Sequence, residues 1–122
     1  MHAHIIHPDP ALEYAFTAEG CHILESWNDA GDPQASIARA RVAPGVTTRW
    51  HMLNGVTERY LIVSGTGLVE VGDSAPERVR AGDVVVIPPG VRQRIGNVGS
   101  ENLIFYAICT PRFTPACYAA SD

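Results

Sequence analysis

The run Gly45-Val-Thr-Thr-Arg49-Trp50-His51-Met-Leu53-Asn54-Gly55-Val56-Thr-Glu58-Arg59-Tyr60-Leu-Ile62-Val-Ser-Gly65 carries the densest structural signal in the chain. Asn54-Gly55 between two β-rich stretches is a strong hairpin signal, because a two-residue type I′ turn needs positive φ at both central positions and these residues tolerate it. The spacing predicts a hairpin in which Leu53 faces Val56, His51 faces Glu58 and Arg49 faces Tyr60, all six on one face. Directly opposed side chains sit about 5 Å apart at Cβ, so an imidazole and a carboxylate meet by pairing alone. Two readings stand for that pair: part of a metal site, or a half-buried ion pair that only steadies the hairpin. On the other face Trp50 falls opposite Arg59, which predicts a cation–π contact.

With 122 residues, the chain is long enough for one domain with a true core and too short for two ordinary ones. We expect a single domain over residues 1–122, with an N-terminal arm (1–20) and a C-terminal tail (110–122). The net charge is −4 and all 9 basic residues are arginines scattered along the chain, which argues against a nucleic-acid or membrane-surface partner. The start of the chain lacks a secretory pattern and no apolar run is long enough to span a bilayer, so a cytoplasmic location is the default expectation. Cys21, Cys109 and Cys117 are odd in number and lack C-x-x-C spacing, and are read as free thiols. Cys109, inside the apolar run 103–109, is expected to pack as a small hydrophobe. His2 and His4 would share one face of a strand, but fraying at a terminus argues against a metal site there.

Outside the central run, strands are expected at Cys21–Trp27, 35–42, 68–71, Glu77–Arg80, Val84–Ile87, 91–95 and 102–109, each bounded by turn-forming residues. In the second of these, Ala38, Ala40 and Val42 should look inward and leave Arg39 and Arg41 at the surface. Val84–Ile87 has no polar alternation, and reads as a strand covered on both sides or pinned by Pro88-Pro89. Pro111 and Pro115 stop the last strand, and Phe113 either closes one end of a barrel or meets a partner subunit. No segment of useful length has a helical period. Many short strands with Gly/Pro turns give an all-β sandwich or barrel.

At this point the residues resemble the cupin superfamily, whose jelly-roll barrel, a double-stranded β-helix, carries two spaced motifs. In the first, G-x5-H-x-H-x3-4-E-x6-G, Gly45, His51, Glu58 and Gly65 stand in place and Leu53 replaces the second His. In the second, G-x5-P-x-G-x2-H-x3-N, Gly82, Pro88, Gly90 and Asn97 stand in place and Gln93 replaces the His. The resemblance implies a cupin barrel with its motifs at residues 45–65 and 82–97, and a homodimer. Since cupins hold their metal on the two His and the Glu of the first motif and the His of the second, it also implies a divalent ion (Mn, Fe(II), Zn or Ni) on His51, Glu58 and Gln93. The amide oxygen of Gln93 is a harder, weaker donor than imidazole and disfavours copper.

If the hairpin face lines the barrel, Arg49, Leu53, Tyr60 and Ile62 surround this set, with Ile95 added from the second motif, and together they form a small-ligand pocket. Arg49 would grip a carboxylate or phosphate, and Tyr60 would donate a proton or orient an oxygen. Two classes of function stay open. One is a metal-dependent enzyme acting on a small organic acid, sugar or ring compound, by isomerase or lyase chemistry ahead of dioxygenase chemistry; without metal, His51 and Glu58 would pass protons as an acid–base pair. The other is a non-catalytic ligand-binding or sensor protein that has lost its metal.

Overall fold

A computed structural model describes residues 3–121, so the expectation for His2 lies outside the described residues. The strands are β1 (Tyr14–Phe16), β2 (Cys21–Trp27), β3 (Ser36–Val42), β4 (His51–Leu53), β5 (Thr57–Ser64), β6 (Thr66–Val71), β7 (Glu77–Arg80), β8 (Val84–Ile87), β9 (Gln93–Asn97), β10 (Leu103–Thr110) and β11 (Tyr118–Ala120). The remaining regular structure is two short 3-10 turns, Pro10–Leu12 and Pro115–Cys117. A six-stranded sheet runs β1-β2-β3-β10-β5-β8 and a five-stranded sheet runs β11-β4-β9-β6-β7, with antiparallel pairing throughout. This is the double-stranded β-helix of a jelly roll.

Period-two alternation sets the inner faces. On β3, Ala40 and Val42 are buried while Arg39 and Arg41 stay partly exposed, Arg41 pairing with Glu13 at 2.6 Å. The inner faces meet in one core that includes Ile23, Val42, Tyr60, Ile62, Val69, Ile87, Ile95, Leu103 and Phe105, and a smaller cluster of Leu53, Val56, Cys109 and Cys117 covered by Phe113 and Tyr118. Phe113 thus closes the barrel's end, and Cys109 packs as a small hydrophobe. Each large apolar side chain removed from water contributes about 1.5–3 kcal/mol.

Three local expectations are corrected. The Asn54-Gly55 bend is not a hairpin turn: β4 pairs with β11 and β9, whereas β5 pairs with β10 and β8 in the other sheet. Only Gly55 takes positive φ (71°), so the two-residue type I′ geometry is absent and the bend carries the chain from one sheet to the other. His51 lies opposite Gln93 across the β4–β9 ladder, and Glu58 lies opposite Cys109 and Ile87. Trp50 is covered by the guanidinium groups of Arg92 and Arg94, with Arg carbons 4.2 and 4.5 Å from the ring centroid, while Arg59 donates to the Thr110 hydroxyl. β8 does alternate, with Val85 and Ile87 buried and Val84 and Val86 exposed, so it is covered on one face only.

The spaced motif residues have structural work. Asn97, buried, donates to the carbonyls of Val42 and Glu101 and accepts from the Gly99 amide, so one side chain ties β9 to β3 and to the turn before β10. Gly65 has φ of 87°, and a Cβ there would stand 2.8 Å from the Asn102 carbonyl oxygen and 2.9 Å from the Leu103 Cα. At Gly55 a Cβ would meet nothing within 4 Å. We therefore expect Gly65→Ala to destabilise the fold by about 3 kcal/mol or more through clash plus strain, and Gly55→Ala by only about 1–2 kcal/mol. Urea unfolding of the two variants checks the order.

Candidate functional site

At the end of the barrel carrying the smaller cluster, the two sheets enclose a cavity of about 60 Å³ that widens to about 490 Å³ when the space out to its mouth is counted. His51 and Glu58 both line it, although they come from opposite sheets. The remaining polar lining is Glu19, Glu25, Ser36 and Cys109, and the aromatic lining is Tyr14, Phe16, Phe113 and Tyr118. A mostly apolar concavity with a few convergent polar groups is the usual makeup of a small-ligand site.

Backbone geometry fixes His51. Its Nδ1 lies 2.7 Å from the Arg49 carbonyl oxygen, which can only accept, so the proton sits on Nδ1. Nε2 lies 2.9 Å from a Glu19 carboxylate oxygen. Glu19 is carried to this point by the turn between β1 and β2, where its own carbonyl accepts from the Arg49 amide at 2.8 Å. The Tyr118 ring stacks on the imidazole, with centroids 5.3 Å apart and planes within 16°. Burial alone would lower the imidazole pKa, but the hydrogen bond and charge of Glu19 outweigh it and hold His51 above its ordinary value.

Glu58 is set by a buried chain of hydrogen bonds. The Gln93 amide nitrogen donates to Glu58 at 2.6 Å, and the Gln93 amide oxygen accepts from the Tyr60 hydroxyl. Cys109 Sγ lies 3.9 Å from the second Glu58 oxygen. Burial, then the nearby Glu19 charge, pushes the Glu58 carboxyl up to about 7, against the pull of Gln93 and His51. Burial is also the main cause holding the Cys109 thiol well above its usual range, so it is a poor nucleophile.

Of the residues expected to hold a ligand, Leu53 lines the cavity. Tyr60, Ile62 and Ile95 lie in the main core instead, with Tyr60 packed on Phe105 at a centroid distance of 4.4 Å. Arg49 is exposed and outside the lining, and it serves the site through its backbone. The three side chains expected to hold a divalent ion are neighbours, and each meets protein groups in this structure. His51 has both nitrogens engaged, and Gln93 turns its NH2 to Glu58 and its oxygen to Tyr60. Among the described residues no group of three or more His, Cys, Asp or Glu side chains is placed to hold a metal.

Glu19, Glu25 and Tyr118 were not singled out from the sequence. Tyr118 has its hydroxyl buried with no hydrogen-bond partner, the one such side-chain atom among the described residues, and burial first among several causes pushes its pKa up to about 12. Buried hydroxyls are normally satisfied, and this one belongs to a residue of the cavity wall.

No protein of curated function matches the chain significantly. Among solved structures it resembles Streptomyces Pac13, described as a nucleoside dehydratase, at 18% identity over 97% of this chain and 92% of that one (TM-score 0.77), and a Pac13 variant with uridine at TM-score 0.78. It also resembles an uncharacterized double-stranded β-helix protein of Klebsiella pneumoniae (17% identity, 96% of this chain and 90% of that one, TM-score 0.71). A third likeness is to an oxalate decarboxylase of Lactobacillus farciminis in a formate complex (25% identity, 88% of this chain but 32% of that one, TM-score 0.74). Residues 38–109, well over half the chain and including both spaced motifs, match the Cupin domain family, and with this barrel around them they show that the chain belongs to the cupins.

Proposed function

We propose that this cupin is an acid–base enzyme of lyase or isomerase type, acting on a small ring compound of the sugar or nucleoside kind. One observation carries this: an imidazole whose pKa is held above its ordinary value by Glu19 and a carboxyl titrating at about 7 line the same apolar cavity, each held by its own partners. Two facing groups, one held toward its protonated form and one exchanging its proton near neutral pH, are suited to be acid and base. In a dehydration, Glu58 as carboxylate takes a C–H proton, and that bond's electron pair becomes a new π bond as the neighbouring C–O bond breaks. The His51 Nε2 proton goes to the departing hydroxyl, which leaves as water. In an isomerisation the same two groups exchange protons on adjacent carbons. Glu19 then keeps the imidazole charged, and Gln93 keeps Glu58 in place. That Pac13 is described as a nucleoside dehydratase supports this class and ring size. The competing reading, a divalent ion on His51 and Glu58, is favoured by their places in the metal-binding motif of the cupins.

The homodimer is proposed on the outer face of the six-stranded sheet. There Leu61 and Val84 are register partners, and Leu61, Val63, Val84 and Val86 are exposed side by side. A contiguous apolar patch of this kind is suited to self-association.

Three measurements test these statements. A panel of pentoses, hexoses and nucleosides in heavy water is expected to yield a compound that loses water or takes up solvent deuterium. EDTA should leave that activity intact, and His51→Gln or Glu58→Gln should lower it by about 10²–10⁴. A stoichiometric metal lost in His51→Ala, with activity abolished by EDTA, would instead favour the metal-ion reading, and ligand binding without exchange would favour a binder. Because folding raises the Glu58 pKa from 4.5 to about 7, its contribution to stability is full below pH 4.5 and lost as pH rises through 7. Glu58→Gln should therefore flatten the fall in melting temperature across that interval and be more stable at pH 8, by something of order 3 kcal/mol at most. Finally, Leu61→Glu with Val86→Glu should convert a dimer to a folded monomer in sedimentation velocity.

A further inference from the structure

The cavity's charge is lopsided. Glu19, Glu25 and Glu58 line it, and no arginine does; the chain has no lysine. Glu19 is matched by His51. Glu58 has a neutral amide and a thiol as its hydrogen-bond partners, and the exposed Glu25 has the neutral Asn28 beside it. Among the described residues neither carboxyl has a hydrogen-bonded or ion-paired cation. Tyr14, Phe16, Phe113 and Tyr118 supply the walls, and the faces of aromatic rings attract cations and repel anions. The unpartnered Tyr118 hydroxyl adds an oxygen able to accept a hydrogen bond.

From this juxtaposition we propose that the cavity selects by charge: it takes a ring compound bearing a protonated amine in preference to the uncharged counterpart, and refuses carboxylates and phosphates. This rests on the cavity being the substrate site of the proposed enzyme, and it narrows the substrate to an amine-bearing sugar, nucleoside or similar ring. The ammonium offers N–H donors to Glu58, Glu25 and the Tyr118 oxygen, none of which accepts a hydrogen bond from a cationic side chain among the described residues. An anionic group in the same place would face two carboxyls, and no guanidinium lines the cavity. The small-organic-acid class expected from the sequence relied on Arg49 as its carboxylate grip, and Arg49 is exposed and outside the lining.

The test is binding, measured by calorimetry or by NMR shifts of the cavity residues, with three ring probes of matched size: cyclopentylammonium, cyclopentanol and cyclopentanecarboxylate. Cyclopentylammonium should bind at least tenfold more tightly than cyclopentanol, with cyclopentanecarboxylate undetected, and Glu25→Gln should narrow the amine-to-alcohol ratio at least threefold. Carboxylate binding as tight as that of the amine, equal binding of amine and alcohol, a ratio unmoved by Glu25→Gln, or no binding of any probe at 50 mM would each overturn it (about 50 mM sets a floor near 2 kcal/mol of binding free energy). Binding is read without turnover. A protein that exchanges protons on an uncharged ring yet binds the carboxylate best overturns the charge selectivity alone, and one that prefers the amine yet exchanges no proton overturns the acid–base function alone.

Discussion

Everything at this end of the barrel depends on one buried hydrogen-bond chain, Tyr60 to Gln93 to Glu58, that crosses the gap between the two sheets. Tyr60 and Glu58 are two residues apart on β5 and point the same way; Gln93 reaches them from β9 opposite. Polar groups withdrawn from water cost free energy unless they find partners. Here the amide spends both of its ends, one as acceptor and one as donor, so the chain is satisfied only when the sheets hold this spacing. The amide thus serves as a strut, and its NH2 fixes which oxygen of Glu58 is held.

The remaining polar groups of the site come from segments far apart in the chain, and backbone hydrogen bonds bring them in. The bend at Asn54-Gly55 sends β4 and β5 into opposite sheets, so His51 and Glu58 look at each other across the cavity rather than along a ladder. Arg49 donates its amide to the Glu19 carbonyl and lends its own carbonyl to the His51 ring. β11 adds itself beside β4 in register, Tyr118 with Leu53 and Ala120 with His51, which lays the Tyr118 ring on the imidazole. Both terminal segments therefore complete a site whose centre lies in the motif region.

The barrel was legible because its signals are local or evenly spaced: alternation on 36–42, turn formers between strands, and glycines, prolines and an asparagine at fixed separations. Asn97 and Gly65 illustrate why such positions are readable, since each answers a demand of the backbone that few other residues meet. His51, Glu58 and Gln93 were legible as neighbours for the same reason, but their connection was not. A two-residue bend between β-runs looks alike whether it closes a hairpin or passes between sheets, and the choice is made by β9 and β11, which take the two edges of β4. Glu19, Glu25 and Tyr118 carry no sequence pattern at all. The roles of Glu19 and Tyr118 follow from tertiary contacts with His51 more than 30 residues away, where periodicity holds no information.

Leu53 gives the altered motif a physical logic. A metal ion would neutralise Glu58 and hold it ionised. With leucine in the second histidine position and glutamine in the third, Glu58 shares the cavity wall with Leu53, Cys109 and Ala107 and is held by the Gln93 amide and the Cys109 thiol. Burial and the like charge of Glu19 then favour the neutral acid, while Gln93 and the imidazolium of His51 favour the carboxylate, and the balance falls near neutrality. Glu19 acts on both partners at once: it stabilises the charged imidazole by direct contact and disfavours a second negative charge on Glu58. The same carboxylate therefore favours a proton on His51 and makes Glu58 readier to take one.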